Sequence, residues 1–265
     1  MLRQSLILLF VLAARPLEAV ASSSAWLETQ GGRVRLVTAG APDAHGLLTG
    51  ALQIDLLPGW KTYWRDPGEA GVPPVVDVSA SPSIVSAELS FPAPHRFDDG
   101  YSKWAGYKHS VALPVKFTLK GSEAGKIDAD IFLGICETIC IPVQGRLEVD
   151  PAGDPGNAAD TALVEAAFAA LPKPEHPGFG VKLLASDAGH VEVEAHAPAG
   201  AEPIDFFLAG EQGYVFGTPE RREAGGKVRF SIPLLARPAT APTQGALRYT
   251  LTTDAGAVEG ALPFP

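Results

Sequence analysis

Cysteine is nearly absent. The 265 residues hold two, Cys136 and Cys140. That excludes the multi-bridge framework that staples small secreted folds, so any sulfur chemistry belongs to this one pair. A surplus of basic charge is lacking as well. Lys and Arg number 21 against 30 Asp and Glu, for a net charge of −9. This excludes the basic face that nucleic acid or an anionic membrane would require. Beyond the N-terminal segment there is no apolar run near the ~20 residues needed to cross a bilayer. Short-period repeats are missing. So are histidines at ligand spacing to the cysteines: His45, His95, His109, His176, His190 and His196 are scattered.

The N-terminus has the three parts of a secretory signal peptide. Arg3 gives a positive start, Ser5 to Ala14 reads SLILLFVLAA, and Ala19-Val20-Ala21 is a small-x-small cleavage site. Cleavage near Ala21 leaves an exported, soluble chain that is more acidic still, since Arg3 and Arg15 depart with only Glu18. Disulfides persist in exported compartments.

The remaining chain is long enough to bury a core without a cross-link. Its pattern predicts an all-β protein: two immunoglobulin-like β-sandwich domains joined by a short helix. Candidate strands in the first half are Arg33–Thr38, Leu47–Leu57, Val75–Val78, Ile84–Phe91, Val111–Leu119, Ile127–Ile135 and Ile141–Val149. Several alternate apolar and polar residues, which puts one face on a core. About seven short strands with turn signals between them suggest an immunoglobulin-like sandwich. Pro151 to Gly156 reads as a linker. Val164, Ala167, Phe168 and Leu171 then form a helical stripe within Asp160–Leu171, closed by Pro172 and Pro174. In the second half the candidates are Val191–Glu194, Ile204–Leu208, Tyr214–Phe216, Val228–Ile232, Leu247–Thr253 and Ala257–Leu262. The expected organisation is a leader over 1–21, a first sandwich over 22–150, a linker with helix over 151–177 and a second sandwich over 178–265.

Three residues separate the cysteines. In one extended strand their Cα atoms would lie roughly 13 Å apart, beyond disulfide reach, so the chain must turn between them. A hairpin tip suits the flanking β-branched residues better than a helical turn. The residues leave three readings open: a redox-active pair, a structural staple, or thiolate ligands of a metal. Closing so short a loop contributes only about 2 kcal/mol, which speaks against a staple. The spacing is not CxxC. Glu137 lies between the sulfurs and no Lys or Arg is adjacent in sequence, so nothing local favours a thiolate.

The densest unusual stretch is Gly59 to Pro74, GWKTYWRDPGEAGVPP. It is followed by Phe91 to Phe97, FPAPHRF, and by Tyr101 to Tyr107 with Trp104 between. One reading is a rigid loop whose Trp and Tyr fill the end of the sandwich. The other is a carbohydrate- or peptide-binding cluster of Tyr63, Arg65 and Asp66.

Together with GYSKWAGYKHSVALPV from Gly100 and CETICIP from Cys136, these segments resemble the N-terminal periplasmic domain of the thiol:disulfide interchange protein DsbD, in its ScsB-type variant. The matching motifs fall in the family's order and cover most of Gly50–Val149. The resemblance implies an immunoglobulin-like fold in the periplasm with a redox pair at one end. It implies a protein-disulfide reductase component that passes electrons from a membrane relay or thioredoxin-like donor to client proteins with disulfides. Cys140 would be the exchanging thiol and Cys136 the resolving one. A loop aromatic covering the pair would come from Phe97, Tyr101 or Trp104. No organic cofactor or metal is called for. Two departures stand out: three residues between the cysteines where the best-known member has five, and neither the membrane relay nor the thioredoxin-like domain in this sequence, so that a separate protein would supply electrons or the domain would have another role. The competing expectation is a non-catalytic interaction or copper-handling module whose cysteines are a staple or ligands.

Overall fold

The computed structural model describes residues 22–68, 71–98, 100, 102–121, 125–187, 189–210, 213–240 and 242–265. The expected leader and Tyr101 lie outside the described residues. Among the described residues the fold is all-β with one helix. Eleven strands come first: β1 Leu27–Thr29, β2 Gly32–Ala39, β3 Leu47–Leu56, β4 Lys61–Gly68, β5 Val75–Asp77, β6 Ile84–Leu89, β7 His95–Asp98, β8 Lys103–Tyr107, β9 Val111–Leu119, β10 Ile127–Cys136 and β11 Cys140–Val149. They form two sheets, β1-β2-β3-β9-β6 and β11-β10-β4-β8-β7, with β5 added to β10. Alternation along the strands turns Leu36, Leu52, Ile54, Leu113, Val115, Ile131, Leu133 and Ile135 into the space between the sheets, where they are buried. This is the immunoglobulin-like sandwich the strand pattern predicts.

Helix α1, Ala158–Ala169, follows. The Asn157 side chain caps it by accepting from the backbone N–H groups of Ala159 and Asp160. The helix starts two residues earlier than its apolar stripe suggested, because this cap precedes the stripe, and Leu171 falls beyond its end. Val164 and Ala167 pack on Val37 and Ala51, on the outer face of the first sheet. The helix therefore covers one side of the first sandwich as well as linking it to the second. Asp160 is buried there and accepts from Ser22 Oγ at 3.0 Å.

The second sandwich comprises β12 Lys173–Pro174, β13 Gly180–Ser186, β14 His190–His196, β15 Pro203–Leu208, β16 Val215–Phe216, β17 Glu220–Ala224, β18 Lys227–Ala236, β19 Leu247–Thr253 and β20 Gly256–Leu262. Its sheets run β12-β20-β19-β15 and β13-β14-β18-β16, with β17 on β18. Phe206 stacks between Phe230 and Tyr249 at its centre.

The two sandwiches are braced against each other. Phe207 and Ala209 join the first core, and Phe207 meets Trp64 edge-on at 5.7 Å. Arg65 pairs with Glu259 at 2.9 Å and Arg96 with Asp205 at 2.9 Å. Asp66 Oδ2 accepts from the Gly210 N–H at 2.6 Å. Burial holds the Asp66 carboxyl above the usual carboxylate range, against the two backbone donors Gly210 and Gly68 and the charge of Arg96. Arg65 and Asp66 thus serve the contact between sandwiches and do not join Tyr63 in one cluster.

Candidate functional site

The aromatic segment is not a loop at the sandwich end. Residues 61–68 are a strand, β4, between β10 and β8. Trp60, Thr62 and Trp64 turn inward, and the Thr62 hydroxyl donates to the Gly134 carbonyl at 2.9 Å. Lys61 and Tyr63 therefore point to the outer face of the sheet. Two glycines make room there. A side chain at Gly106 would strike the Thr62 carbonyl, and one at Gly134 would meet the Tyr63 ring at 3.2 Å. Tyr63 consequently passes over Gly134 and reaches the cysteines.

β10 and β11 form a hairpin in unbroken antiparallel register from Ile127↔Val149 to Cys136↔Cys140. The cysteines are its last pair, and they are joined by a disulfide. The hairpin expected from the flanking residues is what closes it. Inside the turn, the Glu137 N–H donates to the Ile139 carbonyl at 3.2 Å, and Ile139 stands out into solvent.

The two sulfurs have different surroundings. Cys136 is 1% exposed and packs with Tyr63 and Trp104 in one cluster, against which Phe97 lies. Cys140 is exposed at the edge of the sheet. The Tyr63 hydroxyl donates to Cys140 Sγ at 3.0 Å, the direction being fixed because a disulfide sulfur carries no proton. Trp104 meets Tyr63 edge-on at 5.8 Å, and Phe97 stacks on Trp104 at 4.2 Å. Phe97 and Trp104 face each other across the β7–β8 ladder. Two of the three aromatics expected over the pair are thus brought to it, but from strands rather than a loop, while Tyr101 is outside the described residues.

Cations enter through the fold. Lys61 is the register partner of Cys136, and its ammonium lies 4.4 Å from the centre of the Trp104 ring. The Lys108 ammonium lies 4.2 Å from the Phe97 ring. The absence of basic neighbours in the sequence therefore does not carry over to three dimensions. Tyr63 and Lys61 were not among the residues expected at the site. The signal that could have found them is the alternation Trp60-Lys61-Thr62-Tyr63-Trp64, read as a strand with two different faces. Among the described residues no three His, Cys, Asp or Glu side chains converge as a metal site would require.

A family model described as "Thiol:disulfide interchange protein DsbD, N-terminal" matches residues 36–151, the stretch that carries both cysteines and every aromatic of this cluster. Residues 36–151 are thus similar to a DsbD-type N-terminal domain. The chain is also similar to the N-terminal periplasmic domain of ScsB from Proteus mirabilis, whose crystal structure superposes with a TM-score of 0.73 at 23% identity, covering 92% of this chain and 100% of that one. That likeness shows the shared fold, and it extends past the DsbD-type domain over the helix and the second sandwich. Among curated proteins, none matches the sequence. No described helix is long and apolar enough to cross a membrane. The family match covers the first sandwich and stops before the helix.

Proposed function

We propose that this chain is a periplasmic thiol–disulfide exchange protein in which Cys136 and Cys140 cycle between disulfide and dithiol. The observation that carries the reading is the asymmetry of the pair: Cys140 is exposed while Cys136 is 1% exposed beneath Tyr63 and Trp104. Attack by an incoming thiolate needs access to the sulfur it strikes. A donor thiolate bonds to Cys140 Sγ, the Cys136–Cys140 bond breaks, and its electron pair leaves on Cys136 Sγ. A second donor thiol resolves the mixed disulfide and leaves the dithiol. In the forward direction the Cys140 thiolate attacks a client disulfide. Cys136 then displaces the client as a thiolate and restores the internal bond. Two electrons pass to the client in each cycle, with no cofactor.

Donor and client thus share one entrance, at the hairpin tip. The donor is a thioredoxin-like or membrane electron-relay protein, and the clients are periplasmic proteins with disulfides. Residues 22–150 form the redox domain, 151–177 the connector and 178–265 a second domain that supports it. Phe97 and Trp104 screen Cys136 so that only Cys140 exchanges with partners.

Trapping tests this reading. Cys136→Ser leaves Cys140 able to attack but removes the thiol that resolves, so mixed disulfides with periplasmic proteins should accumulate. Cys140→Ser should trap far less. Equal trapping by the two variants would remove the assigned order, and none by either would remove exchange.

A further inference from the structure

Opening the disulfide at Cys140 leaves a negative charge on the second sulfur. Cys136 is 1% exposed, so little water reaches that charge. Burial disfavours a thiolate and makes Cys136 a poor leaving group unless a cation stands near it. The fold supplies one. Lys61 faces Cys136 directly across the β4–β10 ladder. Residues so paired share a face of the sheet, with Cβ atoms about 5 Å apart. The far end of the Lys61 side chain is held independently: its ammonium sits 4.4 Å from the Trp104 ring centre, and Trp104 is in the cluster that covers Cys136. Strand register and ring contact thus put the Lys61 side chain and Cys136 on one face of the sheet, against the same ring.

We infer that Lys61 is the cation that receives the charge left on Cys136 Sγ when the disulfide is opened at Cys140. This rests on the exchange reading above and adds the group that makes the departure of Cys136 favourable. The other described charges and titrating groups on the surrounding elements are mixed. Tyr63 on β4 spends its hydroxyl on Cys140, and Arg65 on the same strand pairs with Glu259. Lys103 lies on β8, and Lys108 follows it and lies against Phe97. Asp98 on β7 accepts from the Gly100 N–H. Glu137 occupies the hairpin turn, on the side of Gly59. Lys61 alone among these is in register with Cys136.

The test uses no protein partner. In a Cys140→Ala background, the Cys136 thiol is titrated by its ultraviolet thiolate absorbance with Lys61, Lys61→Met and Lys61→Arg. Methionine keeps the unbranched stem and removes the charge, while arginine keeps the charge. Lys61→Met should raise the Cys136 pKa by about one unit or more, and Lys61→Arg should restore most of it. In the protein with both cysteines, Lys61→Met should slow reduction by a small thiol roughly threefold at constant pH, and Lys61→Arg should not. A Cys136 pKa indifferent to Lys61→Met, or an unchanged reduction rate, would overturn the assignment. If the single-cysteine form of Lys61→Met does not fold, the reduction rate of the oxidised protein decides alone. A failure of client trapping would count against exchange with proteins and would leave both readouts intact.

Discussion

Opening the disulfide should leave the fold standing, and the expected cost can be worked from the structure. The bond closes a ring with a sequence separation of only 4. Chain entropy for so small a ring contributes about 2 kcal/mol, against about 4.7 for a loop of 100 residues. The hairpin around it is held independently, by unbroken pairing from Ile127 to Cys136 and by the buried inward residues Ile131, Leu133 and Ile135. Reduction of the wild type should therefore cost about 2 kcal/mol. Cys136→Ala/Cys140→Ala should cost roughly 1 kcal/mol more, because the Cys136 sulfur is buried and leaves a small void, while Cys140 is exposed and adds little. For a chain of this size each kcal/mol moves Tm by roughly 2–4 °C, so reduction should lower Tm by roughly 4–8 °C. Calorimetry of the oxidised, reduced and doubly substituted proteins gives the comparison, with urea titrations supplying the free energies. Loss of the cooperative transition on reduction, or a cost above about 5 kcal/mol, would show that the bond holds the fold. A pair with the proposed exchange role could not hold the fold in that way.

The aromatic cover and the contact between sandwiches give two further expectations. Phe97→Ala should cost about 1–2 kcal/mol, since Phe97 is half-buried and stacks on Trp104, and should speed alkylation of Cys136 severalfold in a Cys140→Ala background. A lowered Tm with an unchanged alkylation rate would reduce Phe97 to ordinary packing. Asp66 is a pH-dependent element of the contact. Burial raises its native pKa above the unfolded value, so the stability it contributes is fully present below the ordinary carboxylate pKa and is lost as pH rises through the raised native value. Asp66→Asn should not show that loss, and parallel stability–pH curves for the two proteins would contradict it.

Much of the fold is readable from the chain because a half-buried strand writes its two faces into alternate residues. Val111–Leu119 and Leu247–Thr253 have the same limits in the sequence pattern and in the structure. The segment from Trp60 to Gly68 was harder. Its faces lie against the core and the aromatic cluster, so large aromatics fall on both and blur the alternation that Lys61 alone keeps on the outer face, while the prolines and glycines from Pro67 to Pro74 suggested a loop. β8, buried from Trp104 to Tyr107, was obscured in the same way. β17 was missed because it is an exposed edge strand of charged residues, with no buried face to leave a pattern.

The sequence by itself determined the all-β architecture, the helix between two sandwiches, the solitary cysteine pair and the turn that must join it. Each follows from local spacing and composition. Tertiary structure alone decided which sulfur is shielded, that Tyr63 bonds Cys140, and that Lys61 faces Cys136. Those facts depend on the register between β4 and β10, strands about seventy positions apart in the chain. Register is fixed by how two strands fit a common core, and no spacing within either strand records it.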